Sequence, residues 1–187
     1  EGDPATATWT LSSPQAATVG FVAYSGVSAA SPVEASSGAT GSGRRAYLAL
    51  RGTGTLKVGS LGAQYFQDHA PVREARTVVG HAVRQLYLDA GVVDVHLETG
   101  EPALLESTLA RWRNAHERKM YLTGAFGSRH RDEAFGDDFE LPSDRAYAET
   151  CATIADLHWT WRLHLTGPRA EFADVVEREV HNALSAS

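Results

Sequence analysis

From about Leu61 onward the apolar residues recur at three- and four-residue steps between glycine and proline punctuation, a pattern that a stack of amphipathic helices satisfies. In Pro71–Ala90 the series Val72, Ala75, Val78, Val79, Ala82, Val83, Leu86 and Tyr87 lines one face. Pro71 suits a first helical position and Gly91 a stop, so one helix is predicted there. A shorter helical turn follows over Val92–Glu98, and Pro102–Lys119 forms another helix through Leu105, Leu109, Trp112 and Ala115. Asp144–Leu165 is predicted as a helix whose inward side carries Tyr147, Cys151, Ile154, Ala155, His158, Trp161 and Leu165. Thr166-Gly-Pro168 ends it and starts the last helix, with the stripe Phe172, Val175, Val176, Val180 and Leu184.

Helices joined by short Gly/Pro turns pack as antiparallel hairpins. The predicted fold class is therefore mainly α: a partial α/α barrel of antiparallel helical hairpins over residues 60–187, preceded by a short β-rich N-terminal segment. Roughly five helices are too few to close a large α/α ring, so part of such a ring is expected to be missing. Residues 1–59 have a different character, rich in Ala, Ser, Thr, Gly and Val and without histidine. Ala7–Leu11, Thr18–Tyr24 and Ala46–Val58 read as short strands around the turn-rich Ser25–Gly43, although such composition also suits a linker.

Charge and composition narrow the partners. The formal net charge is -6 over 187 residues and no basic run exceeds a pair such as Arg44-Arg45, which argues against a nucleic-acid backbone as ligand. No apolar run reaches the roughly 18 residues of a membrane span. A soluble protein, cytoplasmic or secreted, is the expectation. The chain opens on Glu1 without a charged region followed by an apolar one, which suits a fragment or a product from which a targeting segment was removed. Cys151 is the only cysteine and has no intrachain disulfide partner, leaving a buried small residue, a metal ligand or a reactive thiol as its alternatives.

Between Met120 and Pro142 the helical period vanishes. A connection of about twenty residues inside a helical domain is longer than most and more often functional. Gly124, Gly127 and Gly136 permit tight turns, and Phe126, Phe135 and Phe139 are placed to anchor the loop on the helices beneath. Its carboxylates Asp132, Glu133, Asp137, Asp138 and Glu140 mix with Arg129, His130 and Arg131. Composition leaves two readings: a solvated charged loop, or a loop presenting one desolvated carboxyl as a general acid.

The motifs Tyr65-Phe-Gln-Asp-His-Ala-Pro-Val-Arg-Glu74, Val79-Gly-His-Ala-Val-Arg84, Lys119-Met-Tyr-Leu-Thr-Gly124, Gly127-Ser-Arg-His130, Asp132-Glu-Ala-Phe135, Leu141-Pro-Ser-Asp144 and Tyr147-Ala-Glu-Thr-Cys-Ala152 stand in order. Together they resemble the bacterial β-L-arabinofuranosidases of glycoside hydrolase family 127, over roughly residues 61–185. The resemblance implies an α/α-barrel domain that removes terminal β-L-arabinofuranosyl groups from plant-type glycans with retention, using a zinc-bound cysteine thiolate as nucleophile and a glutamate as acid/base. Carried onto this sequence, it makes Glu133 the acid/base, Glu149 and Cys151 two zinc ligands, and His81 a sugar-binding histidine. His130, close to Glu133 in sequence, is a further candidate for the substrate pocket and for orienting that glutamate.

The residue types suit such chemistry: retention needs an acid/base and an opposing nucleophile, and thiolate with carboxylate suits zinc. By the same resemblance, the nucleophile and two of the four zinc ligands come from a vicinal Cys-Cys pair that this sequence lacks. A glycosidase piece with impaired or no activity alone is the first expectation, and a non-catalytic carbohydrate-binding or interaction module the second. A product with no independent function, its helix faces left without partners, is the third.

Two bland alternatives stand beside these roles. His81 among Val79, Ala82 and Val83 reads by itself as a core histidine, and Cys151 as a buried helix residue. In a regular helix, positions two apart point to nearly opposite sides, so Glu149 and Cys151 can share a metal only if the helix starts late or is distorted there.

Overall fold

A computed structural model describes residues 60–186. The predicted β-rich segment lies outside those residues, and among the described ones there is no strand beyond isolated bridges at His81–Ala134 and Arg129–Ala134. A 3₁₀ turn, Ala63–Phe66, leads into four helices: α1 (Ala82–Thr99), α2 (Pro102–Arg118), α3 (Thr150–Thr166) and α4 (Ala170–Arg178). A second 3₁₀ turn, Arg131–Glu133, lies between α2 and α3, and α4 continues as a π-helical segment, Glu179–Leu184. α1 packs against both α2 and α3, and α3 packs in turn against α4. The mainly α expectation holds for the described region.

The core is continuous through Leu86 and Val93 of α1, Trp112 and Ala115 of α2, Ala155, Trp159 and Leu163 of α3, and Phe172 of α4. Each fully buried leucine or valine in such a core contributes about 1.5–3 kcal/mol. Tryptophan N–H groups buried there need acceptors, and threonines on the facing helices supply them. Trp112 Nε1 donates to Thr160 Oγ1 and Trp159 Nε1 to Thr108 Oγ1, each at 2.9 Å.

That reciprocal pairing explains one departure from the periodicity. The inward face of α3 is Ala152, Thr153, Ala155, Asp156, Trp159, Thr160 and Leu163. Of the predicted inward residues, Cys151 and His158 are exposed, as are Trp161 (54%) and Leu165 (56%). The true face carries threonine and aspartate whose polar atoms bond to α2, so hydropathy alone selects the wrong side.

A second departure concerns the helix expected over Pro71–Ala90. It begins only at Ala82, because side chains of α2 capture the preceding backbone. Arg111 Nη1 donates to the carbonyls of Val72 and Ala75, both at 2.7 Å, and Val78 N donates to Asn114 Oδ1 at 3.0 Å. Pro71 caps no more than a turn. Arg111 is itself fully buried and neutralised by Asp89 of α1, which lies 2.7 Å from its Nε. Helix α1 in turn runs through Gly91 and absorbs the separate turn expected at Val92–Glu98, ending at Gly100 with φ 68°. The helix predicted from Pro102 is present, whereas the one expected from Asp144 starts six residues later, at Thr150. On the last helix Phe172 and Val175 are buried, while Val180 is 36% exposed.

The two glycines of this region play opposite parts. Gly80 has φ +70°, and a Cβ there would lie 2.0 Å from the Gln64 carbonyl oxygen; Gly91 sits in the helix with open space around it. Gly80→Ala is expected to lower unfolding free energy by more than about 2 kcal/mol. Gly91→Ala should raise it by about 0.5–1 kcal/mol. Chemical denaturation of the two variants checks both, and similar effects from the two would contradict the placement of α1.

Candidate active site

The loop from Met120 to Glu149 is fastened to the helices before it presents any polar group. Phe126 (0% exposed) and Phe135 (4%) enter the core, Phe126 meeting the His116 ring edge-on. Phe139, expected as a third anchor, is 67% exposed beneath Arg118. Left-handed turns at Gly124 and Gly127 let the chain double back. Arg129 and Ala134 then exchange backbone bonds of 3.1 and 3.2 Å, and Phe135 N donates to Gly80 O at 2.9 Å. The last bond draws the Arg129–Ala134 hairpin against the residue preceding His81.

Asp132 and Glu133 at the tip of this hairpin both have positive φ, 61° and 49°. Non-glycine residues hold that conformation only where their surroundings fix it. Glu133 is fixed by its side chain: Oε2 lies 2.9 Å from Nε2 of His81, the N-terminal cap position of α1. Burial, and then the charge of Arg84, hold the His81 imidazole below its ordinary value, against the opposing pull of Glu133 and Glu149. A neutral His81 that donates Nε2–H to Glu133 leaves Nδ1 bare, and Nδ1 is buried without a partner. Tyr65 braces the imidazole edge-on at 5.4 Å, with Arg84 over the tyrosine ring.

The other loop carboxylates are engaged elsewhere. Glu140 binds Arg129 and is held down to about 2 by that hydrogen bonding and by the Asp137 amide. Asp138 pairs with Arg118 at 2.8 Å, and Asp137 with Arg129 at 3.0 Å. Glu133 is the loop carboxyl set against a buried imidazole, and its side chain keeps 42% exposure to a ligand.

Late initiation of α3 removes the geometric obstacle to Glu149 and Cys151 acting together. Ala148 has φ 46° and Glu149 is extended (φ -69°, ψ 133°), so Cys151 is only the second helical residue. The Cys151 thiol is pushed above its ordinary value by hydrogen bonding to Glu149, then by burial and the Glu149 charge, with a smaller contribution from Glu133. One Glu149 oxygen, Oε2, is buried with no partner. A buried carboxylate oxygen beside an exposed cysteine suits a cation, and thiolate with carboxylate is a donor pair zinc takes. The fit is partial, since no group of three potential metal donors occurs among the described residues.

Tyr147, expected on a packing stripe, instead joins the site. Its hydroxyl is pushed up first by hydrogen bonding to Glu133, and Glu149 and Cys151 also act on it. His130 packs edge-on against the Tyr147 ring at 5.3 Å and meets Glu133 through its backbone carbonyl, which accepts the Glu133 amide at 3.2 Å. The signal for Tyr147 was present in Tyr147-Ala-Glu-Thr-Cys151, where it precedes the two metal-type donors.

Comparison with known proteins identifies the family. The family model for the β-L-arabinofuranosidase GH127 catalytic domain matches residues 33–187. A non-reducing end β-L-arabinofuranosidase of Bifidobacterium longum subsp. longum is 42% identical over 122 residues, which is 65% of this chain and 18% of the relative. The crystal structure of a GH127 β-L-arabinofuranosidase from Geobacillus stearothermophilus T6 superposes with a TM-score of 0.65 at 42% identity, covering 66% of this chain and 19% of that one. A GH127 β-arabinofuranosidase structure gives a TM-score of 0.67 at 39% identity over 74% of this chain and 21% of its own. The chain thus spans about a fifth of the length of the relatives it matches. With most of its length matched, the chain belongs to the β-L-arabinofuranosidase family of GH127 catalytic domains.

Proposed function

We propose that this chain supplies the acid/base and one half of the metal site of a retaining β-L-arabinofuranosidase, within an arc of an α/α barrel. The observation that carries the proposal is the 2.9 Å contact between His81 Nε2 and Glu133 Oε2. It sits in a cluster that couples electrostatically to Tyr147, Glu149 and Cys151. The substrate is a terminal β-L-arabinofuranosyl group on a plant-type glycan.

Glu133 has the exposure and the partners to act in both halves of a double displacement. As an acid it gives its proton to the glycosidic oxygen while the bond to the anomeric carbon breaks. As a base it takes a proton from the water that attacks that carbon in the second step. His81 and Tyr147 hold the carboxyl in place through both, and His81 and His130 line the sugar pocket. Glu149 and Cys151 would hold zinc, which when bound supplies the positive charge that stabilises a deprotonated thiol. A second thiol is required as the nucleophile, and Cys151 is the only cysteine in the sequence. Hydrolysis by these residues alone is therefore expected to be absent or severely impaired.

Three measurements follow from this arrangement. An aryl β-L-arabinofuranoside, with zinc and reductant present, should show little or no turnover; robust hydrolysis that survives both Cys151→Ala and Glu133→Gln would overturn the assignment. Cobalt(II) titration should produce a thiolate-to-metal charge-transfer band that Cys151→Ala abolishes and Glu149→Gln weakens, and an unchanged band in either variant contradicts the ligand pair. In an NMR titration the His81 imidazole should have a midpoint below the ordinary 6.5, and Glu133→Gln should lower it further by removing a charge that raises it. A midpoint that ignores Glu133→Gln would separate the two side chains.

A further inference from the structure

A second set of titratable side chains takes no part in the proposed chemistry. Glu179, the first residue of the π-helical segment, and Asp156 of α3 are both 0% exposed. Asp156 Oδ2 accepts from Thr160 Oγ1 at 3.1 Å and meets His116 Nε2 of α2 at 2.9 Å. His116 Nδ1 meets the Trp112 carbonyl at 2.7 Å, so both ring nitrogens face acceptors. The remaining oxygens, Asp156 Oδ1 and both Oε atoms of Glu179, are buried and find no donor elsewhere in the described residues.

The π-helical segment packs on α3, and two bare carboxylates buried at that contact would leave acceptors unsatisfied and set like charges together in a region closed to water. One proton converts the contact into an O–H···O bond. We propose that Asp156 and Glu179 share a single buried proton, and that this proton latches Glu179–Leu184 onto the turn at Gly124.

The latch has a surface to hold. A Cβ at Gly124 would come within 2.9 Å of Glu179 Cγ and 3.1 Å of its Cα, so the turn packs directly on this residue. Ala183 N donates to Thr123 O at 3.1 Å, tying the far end of the segment to the same turn. That turn opens the loop that bears Glu133. The titratable side chains that meet the pair are His116 from α2 and Arg178 from the helix of Glu179 itself, while the turn contributes backbone and Gly124. Single-turn π-helical stretches are uncommon and concentrate where a local rearrangement serves function.

Burial, followed by the charge and hydrogen bonding of Asp156, raises the Glu179 carboxyl far above its ordinary 4.5, with Arg178 opposing. A raised carboxyl holds a proton in the docked state that the undocked state releases. Docking is therefore at full strength below 4.5 and weakens as pH rises through the region above it. One released proton makes the opening equilibrium grow about tenfold per pH unit.

Hydrogen exchange of the Val180–Leu184 amides, corrected for intrinsic rates, tests this on the whole chain between pH 6 and 9. The expected result is an opening constant rising about tenfold per unit in the natural sequence and staying flat in Glu179→Gln. An equal slope in Glu179→Gln, or no slope in the natural sequence, overturns the proposal. Should Glu179→Gln fail to fold, carbon-13 NMR of glutamate-labelled natural protein decides the question. One glutamate carboxyl should retain the protonated shift at pH 7, and ordinary titration of every glutamate carboxyl overturns the shared proton.

Discussion

The buried pair Asp89–Arg111 governs where this small helical assembly places its chemistry. Both side chains are wholly removed from solvent, and Asp89 is further bonded by Thr108 and Gln85. A guanidinium so buried needs acceptors for its donors, and its Nη1 takes the carbonyls of Val72 and Ala75. Residues 71–80 are thereby kept out of a helix and drawn against α2. His81 then becomes the entry to α1 rather than a residue on its flank. Without that displacement the imidazole would not face the hairpin carrying Glu133.

A loop hung on two buried phenylalanines completes the arrangement. Phe126 and Phe135 fix the ends of the hairpin, and the left-handed conformations of Asp132 and Glu133 are tolerated at its tip because His81 engages the carboxyl. Glu149 and Cys151 reach the same cluster because α3 starts only at Thr150. Local backbone irregularities, rather than the regular helices, thus set the geometry of the cluster. Trp112 and Trp159 give it a rigid support through their reciprocal bonds to threonines.

Much of this was legible in the residues. Helix α2 and the long loop follow from periodicity and loop length, whereas the grouping of Glu133, His81, Glu149 and Cys151 was implied only by the family resemblance that the ordered motifs carry. The start of α1 was not, since Pro71 and the apolar series after it favour a helix that only tertiary capture by Arg111 and Asn114 prevents. The inward face of α3 was also misread: Asp156 and Thr160 are polar by type yet buried through bonds to His116 and Trp112, partners distant in sequence. Tyr147 was hidden for the converse reason, an aromatic that looks like packing although Glu133 acts on its hydroxyl. Propensity records one residue at a time, whereas each of these outcomes depends on a pair.

A crystal structure grown with excess zinc, with anomalous scattering recorded at the zinc edge, tests the central claim most directly. The arrangement predicts an anomalous peak between the Glu149 carboxyl and the Cys151 sulfur, in the same cleft as a Glu133 carboxyl bonded to His81 Nε2. A peak elsewhere, or Glu133 turned away from His81, would contradict the cluster on which the proposed chemistry rests.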